Sequence, residues 1–448
     1  MSQLGFIQGR RAKTKREQEL MKTSNKIMQI CVAAAVGGWS AGGYAAGFAL
    51  IEQNASGMGN AYAGQAAAAE NPSTIFFNPA GMTMLPGKQA SGNLSIIRPK
   101  VEFTDNGGSR SPFPAALPLG NNGGDAGNWN YIPAGYFSWQ LTPDLWTGVG
   151  VTVPFGLGTS YDPAWIGRFQ SQRTKLLTYD INPSVAYKIN DTVSIGGGLS
   201  AQRLKISLDR SFSLVAAATP QTVTLADNAW GWNLGAMFNL GPQTRLGLAY
   251  RSALNYDLTG ATTVAAVGNA TIKATLSLPD NFSAAISHQL TDKWQLLGDV
   301  TWTRWSKIQN VPLILTSTSA LGAAGTVGDN LDLLFKDGYR VGIGANYRWT
   351  DNFMLKLGIA YDKTPVPDDL HRFAFLPDNN RTALAFGAKH QLSKAGTLDV
   401  GYQHLFLSDS GALRNKVSGV AAAGTQGIVS GSYAVSPNMV SLQYTHAF

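Results

Sequence analysis

The chain has 448 residues, of which 14% are charged and 50 are glycine. Soluble globular chains carry about 25% charged residues, and the apolar fraction of 44% is too high for a disordered chain. This composition favours a chain with a large surface outside water. The formal net charge of +8 does not indicate a nucleic-acid partner, because seven of the 35 Lys and Arg residues lie within residues 1–45.

Residues 1–45 have the layout of a basic extension followed by a secretory signal peptide. Lys22 and Lys26 precede a mostly apolar run over residues 27–36, which is short for a membrane helix and has the length of a signal-peptide core. Gly43-Tyr44-Ala45 is a small-x-small cleavage site. We therefore expect cleavage after Ala45.

Two further residues of the leader affect the interpretation of the mature chain. Met21 is an alternative start of translation. Cys31 is the one cysteine of the chain, so the mature chain has none, which excludes disulfides and thiolate chemistry.

Residues 46–88 precede the first predicted strand and include the stretch STIFFNPAGM. Within it, Asn78 and Pro79 form a rigid turn, because proline fixes φ and asparagine can bond nearby backbone. The sequence provides no other large segment ahead of the strands.

The rest of the chain shows the period of two that is typical of strands. In residues 353–362 the odd positions are Phe, Leu, Leu, Ile and Tyr, and the even positions are Met, Lys, Gly, Ala and Asp. No later segment has eighteen consecutive apolar residues, so membrane-spanning helices are not predicted. Aromatic residues near strand ends, such as Trp294, Trp302 and Tyr339, are typical of the girdles of a membrane barrel.

Fourteen strands are predicted, an even number as in bacterial single-chain barrels. They cover residues 89–103, 131–141, 145–154, 175–188, 192–207, 230–240, 243–256, 275–290, 293–305, 338–350, 352–362, 381–392, 396–407 and 438–448. Short turns and long loops alternate strictly between them, which indicates that the short turns and both termini lie on the periplasmic side. The predicted fold is an all-β, 14-stranded antiparallel transmembrane β-barrel over residues 89–448.

The last predicted strand ends the chain on Phe448, which shares a face with Val440, Leu442 and Tyr444. The barrel assembly machinery reads such a terminal aromatic residue, so we expect it to be a partner. The protein is expected to be a monomer in contact with outer-membrane lipid and lipopolysaccharide.

A barrel of this size encloses more volume than the side chains of its wall can fill. Either the protein is an open pore or a segment of the chain occupies the lumen. Residues 46–88 are therefore interpreted as an N-terminal hatch inside the barrel.

Several motifs follow one another from residue 46 to the end of the chain. They include "NASGMGNAYAG", "NPAGM", "PFGLGTSYDPAWIGRF", "LPDNFSAAISHQLTDKWQLLGDVTWTRWS", "FKDGYRVGIGANY", "YDKTPVPDD" and "VSLQYTHAF". In this order they resemble the long-chain fatty acid transport family of Gram-negative outer membranes. The resemblance implies capture of a ligand between extracellular loops, an internal pocket, rearrangement of the hatch and sideways exit into the lipid through a kinked strand.

The resemblance also implies roles for particular residues. It assigns the hatch motif to Asn78, Pro79, Ala80 and Gly81, the pocket to Phe48, Arg203, Lys205 and Lys336, and the lateral-opening kink to Pro154, Gly156 and Gly158.

Strand parity supports some of these assignments more than others. Lys336 shares parity with Arg340, which is predicted to face the lumen, whereas Arg203 shares parity with apolar residues and faces the lumen only if a bulge intervenes. Proline and glycine mark breaks and bends in strands, as a lateral opening requires. Val153 lies where a hydroxyl could help to hold a carboxylate, so its presence leaves room for a substrate that is not a free acid.

The predicted function is passive, hatch-gated transport of long-chain fatty acids by lateral diffusion through the barrel wall. The alternatives are an importer of aromatic or aliphatic hydrocarbons, a general diffusion porin and a barrel lipase. The five histidines are scattered, and neither G-x-S-x-G nor a P-loop occurs. We therefore predict no enzyme activity, no catalytic residue, no metal and no cofactor.

Overall fold

The computed structural model describes residues 47–112, 117–214, 217–416 and 426–448. The predicted basic extension and signal peptide, with cleavage after Ala45, lie outside these ranges. None of the helices within the ranges is long and apolar enough to cross a membrane.

The described strands form a single sheet of antiparallel segments. They are β1 (Lys88–Asp105), β2 (Asn130–Gln140), β3 (Leu145–Thr152), β4 (Gly156–Ser160), β5 (Arg173–Lys188), β6 (Val193–Ser213), β7 (Ala218–Asn239), β8 (Thr244–Arg251), β9 (Leu254–Val264), β10 (Gly268–Leu278), β11 (Asn281–Gln289), β12 (Trp294–Thr303), β13 (Asn310–Leu315), β14 (Val327–Asp332), β15 (Gly338–Thr350), β16 (Phe353–Asp362), β17 (Arg381–Gln391), β18 (Gly396–Leu407), β19 (Ser410–Lys416) and β20 (Gly427–Ala447).

The twenty segments form fourteen barrel strands, because in six cases two consecutive segments follow one another along a single barrel strand and face the same neighbouring strand. β3 and β4 both pair with β5, for example, and the other pairs are β8/β9, β10/β11, β12/β13, β14/β15 and β18/β19. The first and last strands pair from Gln89 opposite Ala447 to Asp105 opposite Gly431 and close the sheet. The prediction of a closed 14-stranded antiparallel β-barrel is confirmed.

An apolar belt surrounds the outside of the barrel, as the period of two predicted. On β16 the side chains of Leu355, Leu357 and Ile359 are exposed on the outer face, whereas Lys356 and Ala360, at the alternate positions, are buried on the inner face. Aromatic rings lie at the edges of this belt, and Trp294 and Tyr347 contact each other near the short turns with ring centroids 4.6 Å apart. Such a surface is suited to contact with the hydrocarbon of a membrane.

The polarity of the wall reverses beyond the belt, on the side of the long connections. Within the belt β7 exposes Trp232 and Leu234 outward and buries Asn233 inward; beyond it, Thr224 is exposed outward and Leu225 is buried inward. The inward apolar residues of this region form an apolar chamber together with Phe48 and Trp305. Its members include Leu204, Leu208, Val223, Leu225, Tyr256, Leu258, Ile272 and Leu276.

This reversal explains why several strands are longer than predicted. The predicted loop 208–229 is largely a hairpin, since β6 and β7 pair from Val193 opposite Phe238 to Ser213 opposite Ala218. An outer face of threonine residues lacks the apolar signal from which the strands were predicted. The alternation of inward and outward side chains also shifts by one residue near Pro279, between β10 and β11, where the sequence predicted one continuous strand.

Residues 47–87, called here the N-terminal segment, form single helical turns. These are α1 (Ala55–Met58), α2 (Gln65–Ala68), α3 (Thr74–Phe77) and a 3₁₀-helix (Pro79–Met84). Asn54 caps α1 by accepting a hydrogen bond from the Gly57 backbone N–H at 3.1 Å, and a proline begins the 3₁₀-helix, where its missing N–H costs nothing. Turns this short are stable only where tertiary contacts support them.

Glycines in the wall allow the N-terminal segment to contact the inner face closely. The Asn78 amide donates hydrogen bonds to the carbonyls of Ala66 at 2.7 Å and Ala236 at 3.0 Å, and a Cβ atom at Gly235 would overlap with its Oδ1. A Cβ atom at Gly358 on β16 would likewise overlap with the carbonyl of Asn60. Backbone therefore meets backbone at these points, and a larger residue would separate the segment from the wall.

We expect Gly358→Ala to loosen the N-terminal segment by about 1–3 kcal/mol, the usual cost of overpacking. Hydrogen–deuterium exchange of residues 47–87 should then be faster than in the unmodified protein. Gly135→Ala on β2 is the matched control, because nothing lies within 4 Å of its Cβ position. Equal exchange in the two variants would contradict the close contact.

Candidate functional site

An internal cavity of about 150 Å³ lies between the N-terminal segment and the wall. The segment contributes mostly apolar and aromatic side chains, among them Leu50, Ile51, Tyr62, Phe76 and Phe77. The wall contributes Phe155 and Trp305 together with the charged residues Arg251, Asp299, Arg340 and Asp362. The cavity thus combines an apolar surface with a few charged groups, as ligand pockets do.

Phe48 lies next to this cavity, in the apolar chamber. Its ring is buried and stands edge-on to Trp305, with centroids 5.0 Å apart, and 6.0 Å from Phe155. Trp305 in turn contacts Phe335 at 6.0 Å. The backbone before the ring is also held, since the Gly47 N–H donates to Asp378 Oδ2 at 3.0 Å. The residue predicted to insert into the pocket therefore packs against two aromatic rings, Phe155 and Trp305, that line the cavity.

The wall is interrupted beside the cavity, where β3 ends and β4 begins. β2 pairs with β3 only between Gly135 and Gln140, and no ladder joins β2 to β4 in the described part of the chain. The N-terminal segment takes the free edge instead. The Leu50 N–H donates to the Pro154 carbonyl at 2.8 Å, and the Gly156 N–H donates to the Phe48 carbonyl at 2.9 Å.

The side chain of Gln53 extends this replacement to the end of β3. Its amide donates to the Val153 carbonyl at 2.8 Å, and its Oε1 accepts from the Val153 N–H at 3.4 Å. The predicted kink residues lie here: Pro154 in the interruption, and Gly156 and Gly158 in β4. The structure therefore brings the kink and the start of the N-terminal segment together.

Two arginines of the wall line the cavity, and both have partners. Arg340 lies 3.2 Å from Asp299 and also bonds the carbonyl of Ala61. Arg251 lies further from its acidic partner, 4.0 Å from Asp180. Its guanidinium donates to the Phe76 carbonyl at 2.9 Å and stacks over that ring at 4.7 Å.

The structure does not bring the three predicted pocket cations to the cavity. Arg203 and Lys205 are exposed on the outer face of β6, whose register with β5 and β7 contains no bulge that would turn them inward. Lys336 is exposed in the connection before β15, where its backbone N–H donates to Pro365. The inference that Lys336 faces inward because it shares parity with Arg340 fails, because residues 333–337 are not in a strand.

The hatch motif lies at the turn between α3 and the 3₁₀-helix, against β6 and β7. Asn78 Oδ1 accepts from the Ala80 N–H at 3.1 Å and caps the 3₁₀-helix that Pro79 begins. Gly81 lies against the Thr74 hydroxyl, where a Cβ atom would not fit. These four residues therefore position the segment and do not line the cavity, apart from Pro79.

Glu70 links the N-terminal segment to the wall by charge. Lys356 lies 2.8 Å and Lys389 lies 3.2 Å from its carboxylate, and Asp399 lies 3.7 Å from Lys356. Burial by itself would raise the pKa of Glu70, but the two lysines outweigh burial and hold the pKa at about 2. The carboxylate therefore stays charged and holds the segment against β16 and β17.

Glu52 is the other charged residue of the N-terminal segment, and it is buried next to the cavity. Its Oε2 has no hydrogen-bond partner among the described residues. Burial raises the pKa of Glu52 to about 7, against the weaker opposing effect of Arg381 and Arg340. The segment therefore contains one carboxylate that is firmly charged and one that titrates near neutral pH.

Sequence reasoning missed Arg251, Trp305 and Glu52. Arg251 could have been found by parity, since it alternates with Leu248 and Tyr250 on a predicted strand and so faces inward. Glu52 could have been noticed because residues 47–69 contain no other charged residue. The position of Trp305 depends on the non-strand turn that follows β12, which the pattern did not reveal.

Comparison with known proteins gives consistent matches over most of the chain. Residues 35–448 match the model of the family described as "Outer membrane protein transport protein (OMPP1/FadL/TodX)". Outer membrane protein P1 of Haemophilus influenzae is 29% identical over 423 residues, which cover 85% of this chain and 90% of that protein. A long-chain fatty acid transport protein of Salmonella typhi is also 29% identical, with 86% and 93% covered.

Two solved structures illustrate the shared fold. A FadL homologue of Pseudomonas aeruginosa superposes with a TM-score of 0.79 at 22% identity, covering 90% of this chain and 99% of that chain. The toluene transporter TbuX of Ralstonia pickettii has a TM-score of 0.64 at 19% identity, covering 89% and 99%. At these identities the likeness concerns the fold.

We expect Glu70→Gln to destabilise the contact between the N-terminal segment and the wall by about 3–5 kcal/mol, because Lys356 would lose its nearest counter-charge while buried. Faster hydrogen–deuterium exchange around residues 55–75 would report this change. Glu102→Gln removes a surface pair with Lys100, which should cost less than about 1 kcal/mol. A Glu70 variant that behaves like this control would refute the anchoring role.

The Glu52 carboxyl should make stability fall as pH rises. Its folded pKa of about 7 lies above the ordinary glutamate pKa of 4.5, so its contribution is complete below pH 4.5 and is lost as pH rises through 7, by about 3 kcal/mol in total. Thermal unfolding in detergent between pH 5 and 8 measures the effect. Glu52→Gln should flatten the profile, and an unchanged profile would show that another group titrates.

Proposed function

The chain belongs to the outer membrane protein transport family (OMPP1/FadL/TodX) of Gram-negative bacteria, its barrel crosses the outer membrane, and we propose that it transports long-chain fatty acids. The observation that carries this proposal is the reversal of polarity, which leaves an apolar chamber inside the barrel beyond the belt. An acyl chain gains about 0.8 kcal/mol for each CH₂ that it buries. A curated relative that is named a long-chain fatty acid transport protein supports the same substrate.

The proposed route runs from the chamber to the cavity and then sideways. The ligand is captured in the chamber on the extracellular side, displaces Phe48 from Trp305 and enters the cavity. It leaves through the wall between β2 and β4, where residues 153–155 interrupt the strand. Transport is passive, because a fatty acid that leaves at the level of the belt enters hydrocarbon directly.

The N-terminal segment acts as the hatch in this proposal. Its contacts with the inner face of β6, β7 and β16 and its Glu70 anchor oppose passage straight through the lumen. Its first residues also supply the backbone hydrogen bonds at the interruption. Movement of this part would open the cavity and the wall together, which a general diffusion porin does not require.

Arg251 is the cation that best suits the carboxylate of a fatty acid. It lines the cavity, and its acidic partner Asp180 is at 4.0 Å, which is long for a charge-assisted hydrogen bond. Arg340 is held more closely by Asp299. The Arg251 guanidinium could therefore turn to an incoming carboxylate at lower cost.

Aromatic hydrocarbons are the second candidate, on the basis of cavity size. The cavity of about 150 Å³ is smaller than the roughly 300 Å³ of ordinary ligand pockets, and an apolar cavity of about 150 Å³ can bind benzene. A monoaromatic molecule would fit without displacing Phe48. Val153 at the interruption offers no hydroxyl to a carboxylate, which also suits a neutral molecule.

The remaining proposals concern assembly. Phe448 is exposed at the end of the last strand, and we propose that the barrel assembly machinery recognises it there. The proposed form is a monomer without enzyme activity, metal or cofactor.

Binding of radiolabelled oleate to the purified protein, with toluene as competitor, distinguishes the two substrates. We expect oleate to bind and Arg251→Gln to weaken it about tenfold, the value of a charged hydrogen bond. Lys336→Gln is the control, because this exposed cation lies away from the cavity. Saturable binding of toluene without any binding of oleate would favour the second candidate, and loss of oleate binding in the Lys336 variant alone would contradict the assignment of Arg251.

A further inference from the structure

Four cations lie together on the outer face of the barrel, just beyond the apolar belt. On β5 the belt includes the exposed residues Val185 and Ile181 and ends at Tyr179. Next along the outer face come Lys175 and Arg173, on the side of the long connections. β6 continues the cluster, because Arg203 pairs with Tyr179 and Lys205 pairs with Leu177. Arg173, Lys175, Arg203 and Lys205 are called here the cationic cluster.

The spacing of the cluster follows from the sheet. Residues two apart on one strand are about 7 Å apart, and Lys175 and Lys205 are diagonal neighbours on adjacent strands, at about 7–8 Å. Each cation thus has another within about 8 Å. A patch of this size can contact two phosphate groups of one molecule at the same time.

The cluster is not neutralised by the protein. None of its four residues forms an ion pair with an acidic side chain within the ranges that the structure describes, and Arg203 donates to the neutral Asn228 at 3.0 Å. Two acidic groups also lie on this outer face, Asp209 opposite Arg173 and Asp257 on β9. The patch therefore keeps a net positive charge.

A surface depression of about 420 Å³ is lined by two of these cations, Lys175 and Lys205. The half-buried Tyr179 forms part of its lining, and Lys175 and Lys205 stand beside it, whereas Leu177 is buried. A depression with apolar side chains next to ammonium groups suits an amphiphile that combines phosphate groups with acyl chains. Since the depression adjoins the outer edge of the belt, its occupant would come from the outer leaflet.

We propose that the cationic cluster binds the phosphate groups of lipopolysaccharide in the outer leaflet, with the proximal acyl chains against Tyr179. Phosphates carry the charge that the cluster lacks, and arginine and lysine are the residues that bind them most often. The cluster lies beside β4 and the interruption of the wall, so a bound lipid would border the proposed lateral exit. Binding at this site does not depend on which compound the barrel transports.

The test uses the full-length protein in detergent and bis-phosphorylated lipid A, with native mass spectrometry to measure binding. The variant Lys175→Gln/Lys205→Gln removes two cations of the cluster. The control Lys293→Gln/Arg348→Gln removes two exposed cations at the opposite end of the barrel. Both pairs are exposed or half-buried on the surface, and the shift between heated and unheated samples on a denaturing gel verifies that each variant is folded.

We expect the double cluster variant to bind lipid A at least about tenfold more weakly than the control variant. Only the cluster variant loses charged hydrogen bonds to the phosphates, because the control removes its two cations at the other end of the barrel. Lipid A without phosphates should bind the unmodified protein as weakly as the variant binds lipid A. Equal binding by both variants, or equal binding of the dephosphorylated lipid, would overturn the proposal. Displacement of lipid A by an equal concentration of inorganic phosphate would also overturn it, because the site would then take free phosphate.

Discussion

The pairing of backbone N–H and C=O groups in the wall is the constraint on which the rest of the structure depends. Hydrocarbon offers these groups no partner, so a sheet that crosses a membrane must close. β1 and β20 achieve closure over seventeen residue pairs, from Gln89 to Asp105. Where the strand is interrupted at Pro154, the wall lacks a ladder on one side, and Phe48 and Leu50 supply backbone partners from the N-terminal segment. The interruption is therefore tolerated because the start of the chain lies against it.

The polarity of the outer and inner faces of the wall differs between its two parts, within the belt and beyond it. Inside the belt the outer face is apolar and the inner face carries glycine and polar residues, which the N-terminal segment contacts. Beyond the belt, the outward residues become polar and the inward ones apolar, as the neighbours Thr224 and Leu225 show. Inward apolar side chains at this level offer a hydrophobic solute a surface that water does not. The reversal thus provides a reason for strands that extend well past the membrane.

The strand number and the alternation of short turns with long loops could be predicted, because the belt imposes a strong apolar period on each strand. The full length of the strands could not be predicted, since the alternation of apolar residues weakens where the strands leave the hydrocarbon. The same limit applies to the site. Parity placed Arg340 correctly on the inner face, yet it did not carry over to Lys336, because the chain between them leaves the strand. Arg203 and Lys205 face outward, on the side that their own parity indicated, and the resemblance to a family had suggested the opposite.

Local geometry in the N-terminal segment could be predicted from the sequence, whereas its long-range pairing could not. The turn at Asn78 follows from the residue types of a short motif, and the role of Phe48, which the resemblance to a family suggested, stays a prediction. The charge of Glu70 depends on Lys356 and Lys389, which lie nearly 300 residues or more further along the chain. Such pairs arise only when the sheet has closed, so no local pattern contains them.

The contacts of Phe48 connect the cavity to the wall. Its ring packs against Trp305, which lines the cavity, and its carbonyl accepts the hydrogen bond from Gly156 in the interrupted strand. In the proposed route, a displacement of the ring that also moved this carbonyl would break the bond. The N–H of Gly156 would then lack a partner, since neither lipid nor an acyl chain can provide one, so an open wall costs free energy. Under this proposal, the backbone bond between Phe48 and Gly156 favours a closed wall when the barrel is empty.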